Sequence, residues 1–566
     1  MAEITGTQTI VLIVPWELVQ DMALTTNELK GRQLNPKVLL FLVVAIGLFD
    51  GAANGAQCGD WGYPPGDINR DCVVDLIDFA LLTGIWGQCS DPSGLNCQKV
   101  FPAGLSKGHK WLREYGLLLS GWAGGLSDID QYFDDTNFSD IFTPNRFLLP
   151  YHRGIPPAQA QWAIFTNADG ASFNEIINDP ANWPLGGFMT DDEPLIDHPL
   201  HPTYVEVEQH INDTRAAAPS ALTFANLFAP WWGGAQLFMD AYCAGIKPDI
   251  LMIDQYPFDN NDFTDATYMR IYFYAGLAYT RYKALTCPRV DNGTGIPYWI
   301  FLQGYNRMPL IRTEKGISES DMRMQIFACM TYGFKGFSYW TYLPSSGGPE
   351  VTGFFEDDLV TPTQFFWDVA ASNIEVANLG KALVWLTSTD VRYVPHPGGS
   401  LPEGIGNFTT PQWDTGADPL QSSVTVSGNG YGQDFLIGYF QDDAGEDYFM
   451  ATNVYRHPFL NAAPLAKTIT IAFDNSVDSL LRLNRLTGQV ETVNLTNNTL
   501  TLTLPGGTGD LFKYDTGTAF AGVGCGGWGY LAEDLNGDCQ VGADDLSVLF
   551  ANWFSCTDPN RQGCSP

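Results

Sequence analysis

Asp191-Asp192-Glu193-Pro194 sets three carboxylates in a row directly after a strand-like run, Gly186-Gly187-Phe188-Met189-Thr190. Ionised carboxylates are costly to bury, so at the end of a buried strand they must meet water, a metal or a substrate. Their natural chemistry is proton transfer. Asp191 and Asp192 can raise the pKa of Glu193 by like-charge repulsion, as a general acid requires. A second acid, Asp254, ends another apolar run, Ile250–Asp254, and opens Asp254-Gln255-Tyr256-Pro257. Further polar and aromatic residues end similar runs: Asn226, Gln303 and Trp340-Thr341-Tyr342. Trp231-Trp232 stands between Pro230 and Gly233-Gly234, a setting that favours exposure. Such groups suit sugar recognition, with aromatic faces for the ring and amides for the hydroxyls. Each has a structural alternative: Glu193 as a loop cap, Asp254 as a brace for the Tyr256-Pro257 turn, Trp340 as core. His201 and His210 have no zinc-type spacing, and the chain carries no phosphate loop, dinucleotide fingerprint or Ser/His/Asp signature.

The elements that must position these residues alternate between strand and helix patterns, which predicts an α/β domain with a parallel sheet. The expected strands are Tyr115–Ser120, Arg146–Tyr151, Gln161–Thr166, Gly186–Thr190, Leu222–Phe228, Ile250–Asp254, Tyr298–Gln303 and Gly336–Trp340. The expected helices include Pro202–Ala217, Asp265–Leu285 and Ser318–Tyr332. This series suits a (β/α)₈ TIM barrel, whose active sites lie at the C-terminal ends of the strands. Only about ten residues join the second and third strands, near the minimum for a crossover.

From about Gly186 to Val391 the chain resembles the β-galactosidase-type branch of glycoside hydrolase clan A. The matching pieces are GGFMTDDEP, DILMIDQYPF, PYWIFLQG and RMQIFACMTYGFKGFSYWTY, in that order. The resemblance implies glycosidic bond cleavage, with Glu193 as acid/base and Asp192 in the place before it. It also implies a Glu nucleophile ending strand seven, where this chain has Gln303, which cannot be a carboxylate nucleophile. Asp254 is the best second carboxylate, ahead of Glu314 and Glu319, and would act as the second group or assist it. A carboxyl separation of about 5–5.5 Å implies retention and about 6.5–9.5 Å inversion. Asp192, Asn226, Trp231, Trp232, Tyr256, Gln303, Trp340 and Tyr342 are the expected substrate contacts. The missing Glu keeps open a different class: a non-catalytic glycan-binding or cell-surface assembly protein on a degenerate barrel.

After about Leu383 the pattern changes to short alternating runs separated by Gly, Asn and Pro turns, as in a β-sandwich. The two ends of the chain repeat each other. Residues 58–91 and 525–558 align with cysteines at the same offsets, Cys58, Cys72, Cys89 and Cys525, Cys539, Cys556. Each unit holds a calcium-loop pattern followed by a helix. Asp67, Asn69, Asp71, Val73, Asp75 and Asp78 supply the first loop, and Asp534, Asn536, Asp538, Gln540 and Asp545 the second, Val73 and Gln540 through their carbonyls. These units resemble dockerin repeats, which implies structural Ca²⁺ and a cohesin-like or cell-surface scaffold partner. Dockerins normally place their two repeats side by side, whereas here one lies at each end.

The expected organisation is therefore a signal-peptide region over 1–56, a dockerin-like repeat over 57–98, the TIM barrel over 99–382, the β-sandwich over 383–516 and a second repeat over 525–566. Lys37–Phe49 is a short apolar run with basic residues before it and small residues after, which predicts cleavage near Ala56, export, and no membrane span afterwards. Of eleven cysteines, four lie in 58–97 and four in 525–564, a distribution that favours disulfides in an exported chain. A formal net charge of −34 disfavours nucleic acid and anionic membranes as partners.

Overall fold

A computed structural model of the chain describes Cys58, residues 62–90, 99, 101–123, 136, 140–143, 146–148, 185–196, 201–258, 269–307, 317–343, 350–356, 358, 360–402, 409–427, 434–528, 531–557, 561 and 564. The expected signal region and the expected strand Gln161–Thr166 lie outside the described residues. Two compact units are present: residues 87–541, and a smaller unit made from the two ends, 1–86 with 542–566.

In the larger unit eight strands close a barrel: β1 (Leu118–Ala123), β2 (Asp140–Thr143), β3 (Arg146–Leu148), β4 (Leu185–Asp192), β5 (Leu222–Phe228), β6 (Leu251–Asp254), β7 (Tyr298–Gln303) and, after a short β8 (Tyr305–Arg307), β9 (Gly336–Leu343). Six of them, β4, β5, β6, β7, β9 and β1, pair in parallel one after another and form a curled half-barrel. Their composition explains this. Tyr298–Gln303 is buried at every position, as parallel strands covered on both faces must be. The rest of the ring departs from the expected eightfold parallel pattern. β3 pairs antiparallel with both β2 and β4. Only two residues separate β2 from β3, and so short a link allows only a hairpin. The architecture is thus a partial TIM barrel.

Helices follow the later strands. Tyr204–Ala217 starts at Thr203, which forms a reciprocal capping box with Glu206, and Glu319–Tyr332 starts at Ser318 with Asp321 in the same role. Gly333, at φ 92°, ends the latter in a left-handed turn. The helix Lys107–Tyr115 packs onto the barrel core through Trp111, whose ring meets Trp299 edge-on at 5.7 Å. Gly108 permits that approach, since a Cβ there would stand 2.5 Å from the Asp249 carbonyl oxygen.

Beyond β10 (Glu350–Thr352) and the helix Gln364–Leu383 the strands become antiparallel. They are β11 (Thr387–Val394), β12 (Gln421–Val426), β13 (Phe435–Gln441), β14 (Asp447–Asn453), β15 (Lys467–Phe473), β16 (Ser479–Leu483), β17 (Val490–Asn494), β18 (Thr499–Leu504) and β19 (Gly509–Tyr514). One sheet has the order β11-β13-β14-β19-β16-β17, the other β12-β15-β18. Phe449, Phe473, Phe512, Ile471 and Leu502 fill the space between them. This sandwich joins the barrel through a buried ionic relay. Glu375 accepts from Arg323 at 2.6 Å and from Arg485 at 2.8 Å, and Arg485 also pairs with Asp510.

In the smaller unit the helices Leu76–Gly84 and Ala543–Ala551 meet through Phe79 and Phe550, stacked at 6.1 Å. Val73 bridges Cys556, the Val74 N–H donates to the Ser555 carbonyl, and the Thr557 N–H donates to the Cys72 carbonyl. The chain's two ends therefore fold together. Within the larger unit, Cys89 bridges Gln540, the same pairing with the repeat halves exchanged. Disulfides join Cys58 to Cys72, Cys525 to Cys539 and Cys556 to Cys564. No helix among the described residues is long and apolar enough to cross a membrane.

Candidate active site and ion-binding loops

The acidic run Asp191–Glu193 is divided by the backbone. β4 shifts register against β5 between Met189 and Asp192, a bulge that re-aims the side chains after it. Asp191 turns to the helix Tyr204–Ala217, where its Oδ1 meets His210 Nδ1 at 2.8 Å. Asp192 pairs in register with Asn226 on β5 and accepts from Asn226 Nδ2 at 2.8 Å. Glu193 sits just past the strand, its N–H donating to the Asn226 carbonyl at 2.9 Å. Its φ of 48° lies in the left-handed region, a conformation that costs a non-glycine residue about 1–3 kcal/mol and clusters at functional sites.

Asp254, at the end of β6, is buried and hydrogen-bonded to Glu193. Two carboxyls in that contact need a proton between them. Burial first, then the charge and hydrogen bond of Glu193, then the charge of Asp192, push Asp254 well above the usual carboxylate range, so its O–H donates to Glu193. Asp192 is pushed up to about 6, by desolvation first and by Glu193 second, against the lowering bond from Asn226. Its side chain stays open to solvent on one side although protein crowds the others. Among the described residues, Asn226 Oδ1 and Asp254 Oδ1 are two of the buried oxygens here with no hydrogen-bond partner. Both are placed to receive a donor such as a hydroxyl or water.

The aromatic residues separate into two groups. Trp340 is half-buried and lies 4.2 Å from Trp122, a residue of β1 that sequence reasoning did not select. Tyr256 is half-buried and meets Tyr305 edge-on at 5.3 Å. Trp232 is 50% exposed and stacks on Phe228 at 5.7 Å, and Trp231 packs on Tyr272 at 5.1 Å. Tyr342 does not join them. It is fully buried against Phe354 and Phe355, because β9 shifts register against β1 beyond Tyr339 and the strand alternation is broken. Gln303 is likewise occupied within the protein. Its Oε1 accepts from the Phe258 N–H at 2.8 Å, its Nε2 faces the Tyr305 carbonyl at 3.4 Å, and its backbone exchanges two bonds with the Gln325 amide. A locally determined signal for Trp122 existed: it is an aromatic residue near the end of an apolar strand. The Asp191–His210 pairing had none.

The loop Asp67–Asp78 folds around its own oxygens. Asp67 accepts from the Asp71 and Cys72 N–H groups, Asn69 Oδ1 from Asp71, Asp71 from Val73, and Asp78 from Ile68, Asn69 and Asp75. The carboxyl of Asp67 is raised, chiefly by desolvation, with the charges of Asp78 and Asp71 adding to it. In the second loop Asp534 accepts from Gly537, Asp538 and Cys539, and Asp534 and Asp538 offer oxygens within 4.8 Å of each other. The Gly542 N–H donates to Asp545 at 2.7 Å. Carboxylate and amide oxygens of this kind are the donor set that a hard cation takes.

No protein-family model and no curated protein matches this sequence. Among solved structures, a β-galactosidase from the haloarchaeon Halorubrum lacusprofundi overlaps 30% of this chain and 25% of its own at 18% identity and a TM-score of 0.22. Xylanase 10B of Thermotoga maritima overlaps 49% and 100% at 10% identity and a TM-score of 0.30. A glucosidase of Croceicoccus marinus overlaps 76% and 99% at 12% identity and a TM-score of 0.30. The chain spans only about a quarter of the β-galactosidases it overlaps. All these neighbours are glycoside hydrolases. Overlaps this slight carry no argument about activity, which rests on the residues of the site.

Proposed function

We propose that this protein is a glycoside hydrolase acting on a neutral carbohydrate. The observation that carries the reading is the contact between the carboxyls of Glu193 and Asp254 at the C-terminal ends of β4 and β6. Glu193 is half-buried and stands in front of the buried Asp254. The shared proton passes through Glu193 to the glycosidic oxygen as the bond from that oxygen to the anomeric carbon breaks. A water adds its hydroxyl to that carbon and returns its proton to the carboxyl cluster, where Asp192 is the most exposed member. Asn226 Oδ1 receives a sugar hydroxyl, and Trp340, Tyr256 and Trp232 offer ring faces. Asp254 serves as proton partner to Glu193. Carboxyls in hydrogen-bond contact are closer than the about 5–5.5 Å of an acid–nucleophile pair.

That closeness, together with the occupied amide of Gln303, favours a second reading, a barrel that binds glycans without cleaving them. Product release from a panel of neutral polysaccharides and aryl glycosides, by wild type and by Glu193→Gln, separates the two. Release that disappears in the variant supports hydrolysis with Glu193 as the acid. Retained glycan binding with no release by either protein supports binding alone. Release unchanged in the variant rejects this site.

At the two ends we assign Ca²⁺ to the loops, held by Asp67, Asn69, Asp71, the Val73 carbonyl, Asp75 and Asp78, and by Asp534, Asn536, Asp538, the Gln540 carbonyl and Asp545. The ion's role would be structural, and export with attachment to a cohesin-like or cell-surface partner is the associated proposal.

A further inference from the structure

Three cysteines lie apart from the terminal clusters, and two of them are neighbours. Cys243 follows the helix Ala235–Ala241 in the segment Tyr242–Ile246, and Cys287 ends the helix Ala275–Thr286. Both are buried, at 4% and 1% exposure. Cys287 Sγ lies 3.8 Å from the Cys243 carbonyl oxygen, so the two residues are in direct contact. The third, Cys329, lies buried on the helix Glu319–Tyr332. All three are reduced in this structure, whereas the terminal cysteines Cys58, Cys72, Cys89, Cys525, Cys539, Cys556 and Cys564 are disulfide-bonded.

We infer that Cys243 and Cys287 are a disulfide site, closed under the same oxidising conditions that form the terminal bonds. The site is a pair in contact rather than a lone thiol, and it lies in a chain that already carries several disulfides. Burial makes both thiols inert once the barrel has formed, so closure belongs to folding, while the two segments still admit a reagent. The reaction is thiol–disulfide exchange with a small-molecule disulfide. One thiolate attacks the reagent, releasing one reagent thiol and leaving a mixed disulfide. The second cysteine displaces the other reagent thiol. The two cysteines lose two electrons and two protons, and the reagent is reduced to two thiols.

The bond would tie the segment after β5 to the segment after β6, the strands that carry Asn226 and Asp254. It would act close to the site. Tyr242, adjacent to Cys243, accepts from the Ala225 N–H at 2.7 Å, one residue before Asn226. A larger staple closing a long loop restricts the unfolded chain most, and these cysteines are 44 residues apart.

The test uses the full chain, folded in a buffer of reduced and oxidised glutathione and then unfolded in acidic denaturant without reductant, so that no exchange occurs. Alkylation and peptide mass mapping follow. The expected result is one alkylated cysteine among these three, Cys329, with a cross-linked peptide containing Cys243 and Cys287 that is two mass units lighter than the separate thiols. Alkylation of all three, in a preparation whose Cys58–Cys72 and Cys525–Cys539 bonds are intact, overturns the inference. So does a cross-link between Cys329 and either of the others. The oxidised chain should also unfold at a higher temperature than a Cys243→Ala/Cys287→Ala double variant carrying the same terminal bonds, and an equal or lower midpoint would deny the bond any stabilising role.

Discussion

Replacing Asp192 by Asn tests the electrostatics of the cleft directly. Asparagine keeps the shape and an oxygen to accept the Asn226 amide, but it never ionises. In the folded protein the Asp192 carboxyl is raised from 3.8 to about 6. Below 3.8 it is protonated in both folded and unfolded chains and contributes no difference. As pH rises from 3.8 towards 6, the unfolded chain ionises first, so wild-type stability falls, and above 6 the loss is complete. Across about two pH units, at 1.36 kcal/mol each, the ceiling is about 3 kcal/mol. Solvent reaches one side of this side chain and screens it, which reduces the expected effect to about 1 kcal/mol. Removing the charge also removes one of the influences that raise Asp254, and that acts in the same direction. Guanidinium unfolding of both proteins at pH 3.5 and pH 7.5 is the assay. Their stabilities should agree to within about 0.5 kcal/mol at the lower pH. At the higher pH the variant should be the more stable, by about 1 kcal/mol. A difference independent of pH, or a variant less stable at pH 7.5, would refute the claim that this carboxylate is held against its preference.

Asp254→Asn should lower glycosidase activity by about 10²–10⁴-fold. An unchanged rate in the variant would remove Asp254 from the proton pair. Adding Ca²⁺ at 100 times its dissociation constant should stabilise the terminal unit by about 2.7 kcal/mol in differential scanning calorimetry. Asp67→Ala should remove the first loop's share of that response, and a chelator without effect on wild type would reject the metal. Glu375→Ala leaves Arg323 and Arg485 without their shared carboxylate at the junction of barrel and sandwich. Denaturant unfolding should show a loss of about 3–5 kcal/mol, and a loss below about 1 kcal/mol would mean that water or Asp510 already satisfies these cations.

Patterning alone specified much of this protein. Leu222–Phe228 and Tyr298–Gln303 are strands because most of their residues are apolar, and their limits coincide with the expected ones. The helices expected over Pro202–Ala217 and Ser318–Tyr332 form within two residues of those starts, each at a capping box of neighbouring residues. The repeated cysteines and oxygen-rich loops at the two ends were equally visible, because spacing within about a dozen residues defines such a loop. What the tertiary structure decided depends on residues far apart in the chain. The hairpin of β2 and β3 takes the place of a crossover through pairings that no single segment displays. A bulge in β4 sends Asp191 to His210 and leaves Asp192 and Glu193 to different partners, although the three are consecutive. A register shift in β9 places Trp340 beside Trp122 and Tyr342 in the core, only two residues on. Residue types announced carboxyl chemistry. Only the curl of the sheet, with β4 and β6 on either side of β5, brings Glu193 to Asp254.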